Sequence, residues 1–426
     1  MRQLRKLRIW LIGLVVLACA SATLPLARNY CADQVTAALQ SADLRSAETW
    51  LTRLQQLGRQ HPEALRLELR CLRKKFAIQE FQIRLEEARR AGLAESVLQH
   101  ELILASAQAG DLAGLQQKLP DLLLAGEDLE EVCESFVVGC LLCYRLDDAV
   151  RVLEIWRQDF PESARPVFLR SRLREHSDEL PEAAEGYRQA LKLNPRFGPA
   201  AFSLGRALEE TGQLDEALAA YSNSRDLLYH PEPALVSMVR VLRLQNRFDE
   251  AQSLLTSPEI SSGSREAREL SWLLAGAKQW NAIGDRLLEI AELHAARGDN
   301  AQAIKVFQEL MEVAPRRWKA RYRLAMLLRD SGDEEQARLE ISRFKATSDA
   351  VDRCDTLLSR VRNDPRDVDA RFEIACEFLE HISESQGIFW LRTVLELDPN
   401  HAGALDKLES LNAARNDRSM ADRAPR

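Results

Sequence analysis

Cys140 and Cys143 are the one Cys-x-x-Cys pair in the sequence. This spacing supports thiol redox chemistry when the pair begins a helix, and metal binding when a second pair or histidines lie nearby. Here the pair lies well inside a predicted helix, among apolar residues such as Phe136 and Leu142, with no second pair and no adjacent histidine. We therefore predict that both cysteines are small core residues.

Other patterns typical of catalysis are weak. Ser342 and Lys345 match Ser-x-x-Lys inside a predicted helix, without the companion motifs of the enzymes that use it. The seven histidines never fall three or four residues apart, so no helix presents a histidine pair to a metal. Neither a P-loop nor Gly-x-Gly-x-x-Gly is present. We predict no catalytic residue, no metal site and no cofactor.

The composition indicates a helical protein. Of 426 residues 46% are hydrophobic and only 6% aromatic, with 18 glycines and 15 prolines, fewer than an enzyme with a loop-built active site normally has. Net charge is −7, and the first 27 residues carry four basic and no acidic side chains, so the remainder is at −11. A body this acidic argues against a nucleic-acid partner, which needs a positive field.

The N-terminus predicts export. Basic residues 1–8 precede an uncharged apolar stretch at 9–27, long enough to span about 28 Å as a helix. A basic flank stays on the cytoplasmic side, which places the body outside the cytoplasm, in the periplasm or envelope. The stretch could be a single-pass membrane anchor, a signal segment that is cleaved to release a secreted or periplasmic protein, or a site of lipidation at Cys19.

The sequence repeats with a period of 34 residues. An alanine recurs at this spacing, followed four residues later by a larger apolar residue. The alanines are Ala149, Ala183, Ala217 and Ala251, and then Ala303 and Ala337. A glycine stands five residues before three of them, where a tight turn needs positive φ. Each repeat therefore predicts two amphipathic helices joined by a turn, which must stack on neighbouring pairs to bury their apolar faces.

These positions resemble the tetratricopeptide repeat (TPR) family. Leu204-Gly205, Ala217-x3-Tyr221 and Ala303-x3-Phe307 leading to Pro315 reproduce the family pattern. The resemblance implies an all-α fold, a right-handed α-α superhelix, behind the N-terminal transmembrane or signal helix. Each repeat is named below by its first residue, and the predicted starts are 28, 62, 96, 130, 164, 198, 232, 284, 318 and 368.

This register divides the chain. We predict a basic cytoplasmic flank at 1–8, the anchor or signal at 9–27, divergent repeats at 28–129, repeats at 130–265, an extra helix at 266–283, repeats at 284–351, a second extra helix at 352–367, a repeat with a cap helix at 368–415, and a disordered tail at 416–426.

The resemblance also implies a binding groove lined by the first helix of each repeat. Carried over by position, the groove residues are Phe168, Arg172, Phe202, Arg206, Arg240, Tyr322, Phe372, Arg66, Arg70 and Arg73. Arginine beside an aromatic ring can recognise a carboxylate together with an apolar group. The alternative is that the arginines pair inside the chain, with Glu175, Glu209 or Glu210.

The chain also resembles bacterial membrane-anchored TPR proteins that face the envelope. The resemblance implies a non-enzymatic scaffold that binds a protein or an extended peptide, and the arginines at the groove positions favour an acidic partner. Two alternatives remain open. One is an enzyme or accessory subunit with an unrecognised site. The other is a homo-oligomer that covers apolar groove positions, namely Leu104, Val138, Leu141 and Leu142.

Overall fold

The computed structural model describes residues 24–125, 128–143, 145–177, 179–256 and 282–421, and these contain helices and no strand. The first helices are α1 (24–40), α2 (Leu44–Gly58), α3 (Pro62–Lys74), α4 (Ile78–Arg90), α5 (Glu95–Gln108), α6 (Ala113–Ala125) and α7 (Leu129–Leu142). Next come α8 (Leu146–Asp159), α9 (Ala164–His176), α10 (Leu180–Leu193), α11 (Gly198–Glu210), α12 (Leu214–Leu227), α13 (Glu232–Leu244) and α14 (Phe248–Leu255).

The C-terminal helices follow residue 281. They are α15 (Ala282–Ala296), α16 (Asn300–Val313), α17 (Trp318–Asp330), α18 (Glu334–Asn363), α19 (Val368–Glu377), α20 (Glu384–Leu397) and α21 (Ala402–Ala421), with a π-helical turn at Phe378–Ile382. The first helices of the repeats begin within two residues of the predicted starts from 62 onward. Helix pairs such as α9–α10, α11–α12 and α15–α16 pack in sequence order. The predicted all-α repeat fold is therefore confirmed, while the handedness of the superhelix stays a prediction.

The alanine positions explain how the two helices of a repeat approach. Each is almost fully buried, and they are Ala149, Ala183, Ala217, Ala251, Ala303 and Ala337. In repeat 198, a Cβ added at Gly205 would lie 2.7 Å from the ring of Tyr221. Only glycine fits there, because the tyrosine four residues after Ala217 packs directly on the backbone of α11.

The turn between the two helices also repeats. Counted from the first residue of the repeat, residue fifteen lies in this turn. It has positive φ in every repeat from 28 to 318 in which the structure describes that residue. These residues are Ala42, Phe76, Gly110, Gly212, Asn246, Gly298 and Gly332. The divergent repeats 28, 62 and 96 thus keep the turn although Ala42 and Phe76 replace glycine. In the alanine position of repeats 62 and 96, Phe81 and Leu115 are also buried.

Two predicted boundaries are wrong. The extra helix at 352–367 is not separate, because α18 runs without interruption from Glu334 to Asn363. No glycine or proline lies between these residues, so nothing ends the helix before Pro365. The disordered tail predicted at 416–426 overlaps α21, which continues to Ala421 because no glycine or proline after Gly403 ends the helix earlier.

Several predicted segments lie outside the described residues. They are the basic flank at 1–8, most of the anchor or signal stretch at 9–27, most of the extra helix at 266–283, and the last residues from 422. Within the described part of the chain, no helix combines the length and apolar character needed to cross a membrane.

The described residues form two compact units. Unit A contains 24–105 and 160–238, and unit B contains 106–159, 239–256 and 282–421. Each unit joins helices that are far apart in the sequence. In unit A, the Asn194 side chain donates to the carbonyl of Ser41 at 3.0 Å. In unit B, Arg371 donates to the carbonyl of Cys143 at 3.0 Å. Contacts are therefore not confined to neighbouring repeats, as a simple linear array would have them.

Candidate interaction surface

The predicted basic groove of repeat 62 is a buried ion cluster. Arg70 and Arg73 donate to the two carboxylate oxygens of Glu101, at 3.2 and 2.8 Å. All three side chains are at most 4% exposed. Arg66 lies nearer the surface and pairs with Glu63 at 2.7 Å. The first two arginines therefore tie α3 to α5 and present no free guanidinium to a partner.

Repeat 232 uses the same positions. Arg240 and Arg243 donate to Glu289 at 2.9 and 3.1 Å, and the Glu289 side chain is 1% exposed. In both clusters the arginines occupy positions nine and twelve of one repeat, and the glutamate occupies position six of the next. The pairing persists although the sequence between Arg240 and Glu289 is longer than one period. These clusters connect the first helices of successive repeats.

Arg172 and Arg206 converge on Glu175. Arg172 lies 3.5 Å from the carboxylate, and Arg206 donates a hydrogen bond to it. Burial lowers the pKa of Arg172, partly offset by the neighbouring Glu175 charge. The structure thus favours the alternative that these arginines pair inside the chain. Glu175 was among the predicted partners, whereas Glu101 and Glu289 were not.

Two of the predicted groove aromatics are core residues. Phe168 and Phe202 are each 4% exposed. The Phe168 ring centroid lies 5.7 Å from that of Tyr187 on α10, and the Phe202 centroid lies 5.4 Å from that of Tyr221 on α12. Predicting them as groove residues was wrong, because position five faces the large aromatic of the second helix here and is covered by it.

Phe372 is partly covered at the start of the cap helix. Its ring centroid lies 4.7 Å from that of His401, and a Cβ at Gly403 would meet the ring at 2.8 Å.

The apolar positions suggested for self-association are also covered, since Leu104, Val138 and Leu141 are buried by the chain itself. A homo-oligomer cannot use these three residues as its interface.

Tyr322 differs from the other predicted aromatics, because it is 44% exposed. Its ring lies 5.1 Å from that of Phe344 on α18, and the Trp318 ring lies 5.7 Å from the same phenylalanine. Lys319 places its ammonium 5.2 Å from the Trp318 ring centroid. Trp318 and Phe344 are half-buried, while Lys319 and Lys345 are exposed. We call these five residues the aromatic face.

The chemistry of the aromatic face suits recognition of a peptide. Its rings offer flat apolar contact, and its two lysines offer charge to a carboxylate. Of the five residues of the aromatic face, only Tyr322 was predicted from the sequence as a binding residue. The i, i+4 spacing of Trp318 and Tyr322 was a usable signal, but Phe344 comes from the long helix α18, where the repeat pattern does not predict its direction.

Unit B contains a cavity of about 760 Å³ with polar and apolar lining residues. Glu396 and Cys143 line it, with the thiol 3.8 Å from the carboxylate. Glu396 has surface open to the cavity, yet the surrounding protein desolvates it and, with Asp111, raises its pKa to about 7. Burial raises the pKa of Cys143 well above its ordinary value and that of Cys140 to about 12. Both cysteines are buried core thiols, as predicted, and poor nucleophiles.

Arg371 lines the same cavity but has a structural role. It donates to the carbonyl of Pro365 at 2.8 Å and that of Cys143 at 3.0 Å. Arg321, at the same position of the preceding repeat, donates in the same way to Pro315. Over the described ranges no group of three or more His, Cys, Asp or Glu side chains could hold a metal ion. The cavity offers an acid with a raised pKa and no assembled nucleophile.

The sequence was compared with known proteins. Residues 173–225 and 288–350 match the sequence profile of the tetratricopeptide repeat family. No curated protein matches the sequence. The APC/C hetero-tetramer Cut9-Hcn1 structure is similar at 16% identity and a TM-score of 0.47, covering 87% of this chain and 68% of that one.

Two further solved structures are similar. YrrB, a TPR protein with an unusual peptide-binding site, has 17% identity and a TM-score of 0.26, covering 53% of this chain and 99% of its own. A tetratricopeptide repeat protein from Parabacteroides merdae has 16% identity and a TM-score of 0.35, covering 69% and 96%. Residues 173–225 and 288–350 therefore carry tetratricopeptide repeats, within a described chain of helix pairs that pack in sequence order.

Proposed function

We propose that this protein is a non-enzymatic scaffold that binds an extended acidic segment of another protein on the aromatic face. Tetratricopeptide repeats support a protein-interaction role in general. The observation that carries the finer proposal is the aromatic face itself, where the exposed Tyr322 ring lies beside exposed lysines. Exposed aromatic rings of this kind dominate the energetics of protein interfaces.

Charge supports an acidic segment as the partner. Near the face, Arg323 pairs with Glu292 at 3.2 Å and Arg343 pairs with Glu340 at 2.9 Å, while the exposed side chains of Lys319 and Lys345 carry two further positive charges. Their flexible ammonium groups suit carboxylates without demanding one bidentate geometry. An apolar side chain between two acidic residues would contact the Tyr322 and Phe344 rings while its neighbours meet the lysines.

Site-specific photocrosslinking in the native cell tests this role. A photoreactive amino acid replaces Lys319 on the face, and another replaces Arg338, which is 79% exposed on α18. We expect a specific protein adduct from position 319 and not from position 338. Tyr322→Glu should abolish the adduct, because it places a carboxylate where an acidic segment binds.

Leu339→Glu is the matched control, since Leu339 is 46% exposed and Tyr322 is 44% exposed. It should leave the position 319 adduct unchanged. The same adducts from both crosslinking positions, or an adduct that survives Tyr322→Glu, would contradict binding at the aromatic face. Circular dichroism of each variant checks that helicity is retained.

We further propose that the stretch at 9–27 exports the chain and tethers it to a membrane, with the body outside the cytoplasm. The basic residues at 1–8 and the uncharged stretch that follows support this. A reporter active only in the cytoplasm should be inactive when fused after Arg426. Carbonate extraction then separates a membrane-retained chain from one released by signal cleavage, and labelling with a fatty-acid analogue detects lipidation at Cys19.

A further inference from the structure

The first turns of α1 expose apolar side chains. Leu24, Leu26 and Tyr30 are 38%, 69% and 56% exposed, whereas the next outward-facing residue on this side of the helix is the charged Asp33. Leu26 and Tyr30 are one helical turn apart and therefore lie on the same face. Leu24 and Leu26 belong to the end of the uncharged stretch at 9–27, and Tyr30 follows it by three residues. The surface changes from apolar to charged within two turns.

Aromatic and basic groups of α2 lie beside Tyr30. The Tyr30 and Trp50 rings meet edge to face with centroids 5.6 Å apart. The Arg53 guanidinium lies 4.3 Å from the Trp50 ring centroid. Tyrosine and tryptophan concentrate at membrane–water interfaces, and arginine can place its stem against apolar groups while its charge contacts lipid phosphates. This combination suits the headgroup zone of a bilayer.

α1 is a rigid part of the first repeat. Arg28 donates to the carbonyl of Leu57 at 2.9 Å, which joins the start of α1 to the end of α2. Behind the exposed face, Val35 and Leu39 are buried in a core shared with Leu54. Since α1 already includes residues 24–27 of the apolar stretch, a bilayer that holds the first turn of α1 also fixes the orientation of this repeat.

We propose that Leu24, Leu26, Tyr30, Trp50 and Arg53 form a docking surface that rests in the lipid headgroup zone, with Arg53 at the phosphates. The inference rests on the proposed membrane tether and adds that the first repeat lies against the bilayer. It commits to lipid as the occupant because the surface adjoins the apolar stretch and combines exposed aliphatic, aromatic and basic groups.

The test uses the full chain in vesicles of phosphatidylcholine and phosphatidylglycerol. An environment-sensitive fluorescent amino acid replaces Leu26, and in a matched chain it replaces Ile83, which is 63% exposed on α4. Lipids brominated near the headgroup serve as quenchers. We expect quenching at position 26 to be several-fold stronger than at position 83. Arg53→Glu should reduce the quenching at position 26 without releasing the chain from the vesicles.

Each other outcome has a defined meaning. A chain that fails to float with the vesicles contradicts the tether itself. A chain that floats but shows equal quenching at positions 26 and 83 overturns the docking surface while the tether stands. A label at position 26 that is shielded from water but not quenched by bromine, in a chain that crosslinks to itself, assigns the surface to a second copy and also overturns the proposal.

Discussion

At the scale of single residues, the turn of each repeat shows where geometry overrides sequence. Position fifteen has positive φ whether it is glycine, as at Gly212, or Ala42, Phe76 or Asn246. An L-residue in this region pays roughly 1–2 kcal/mol relative to its preferred conformations. The stacked helices impose the turn, so these positions carry strain that the glycine-containing repeats avoid.

Ala42→Gly should therefore stabilise the protein. We expect a gain of about 0.5–1 kcal/mol, because relief of the left-handed strain outweighs the larger backbone entropy of glycine in the unfolded chain. Urea denaturation followed by circular dichroism measures it. Ala37→Gly, at an exposed position inside α1, is the control and should instead cost about 0.5–1 kcal/mol. A loss of stability from both substitutions would show that position 42 is unstrained.

Glu396 predicts a pH dependence of stability. Its pKa is raised to about 7 from 4.5, so the folded chain holds this proton more tightly than the unfolded chain. The free energy of unfolding therefore falls as pH rises from about 4.5 to about 7, because the folded chain must give up this proton. Above about pH 7 Glu396 is ionised in both states, and the free energy of unfolding falls no further on its account. Glu396→Gln should raise the urea midpoint more at about pH 8 than at about pH 5. An equal change at both pH values would mean that the pKa is not raised.

At the scale of helices, the ion clusters show what sequence periodicity could and could not predict. The 34-residue pattern predicted the helix register and the buried alanines, because helix packing repeats locally. The family resemblance placed Arg70 and Arg240 at the same position of their repeats, but assigned them to a groove. Their partners Glu101 and Glu289 occupy position six of the next repeat, and Glu289 comes after an insert in the sequence. The number of residues between arginine and glutamate therefore differs from one pair to the other, and no fixed spacing reveals the pairing.

Removal of a buried carboxylate should be costly. Glu101→Gln removes the negative charge that Arg70 and Arg73 share at sites that are at most 4% exposed, and we expect a loss of about 3–5 kcal/mol. The control Glu334→Gln breaks a surface pair with Arg338, whose side chains are 70% and 79% exposed, and should cost below about 1 kcal/mol. Equal urea midpoints for the two variants would contradict a structural role for the cluster.

At the scale of the whole molecule, the units could not be predicted from the repeats. Unit A joins 24–105 to 160–238, and its contacts include Lys75 above the Tyr229 ring at 4.7 Å and Arg196 with Asp43 at 3.1 Å. Pairs such as these are separated by more than 150 residues and follow no period. Sequence reasoning assumed contacts between neighbouring repeats, and therefore found the helices but not the contacts that close each unit.

This connectivity predicts the behaviour of a split chain. Fragments 24–265 and 266–426 divide unit B, because 106–159 and 239–256 stay with the first fragment and 282–421 with the second. The hydrogen bond from Arg371 to the Cys143 carbonyl crosses the split, as does the ion pair of Arg297 and Asp249 at 3.0 Å. Co-expressed with a tag on one fragment, the two should co-purify. Arg371→Ala should weaken co-purification by removing a buried contact, whereas Arg297→Ala, which removes an exposed pair, should have little effect. Recovery of 266–426 alone as a stable helical protein would mean that unit B does not depend on the distant helices.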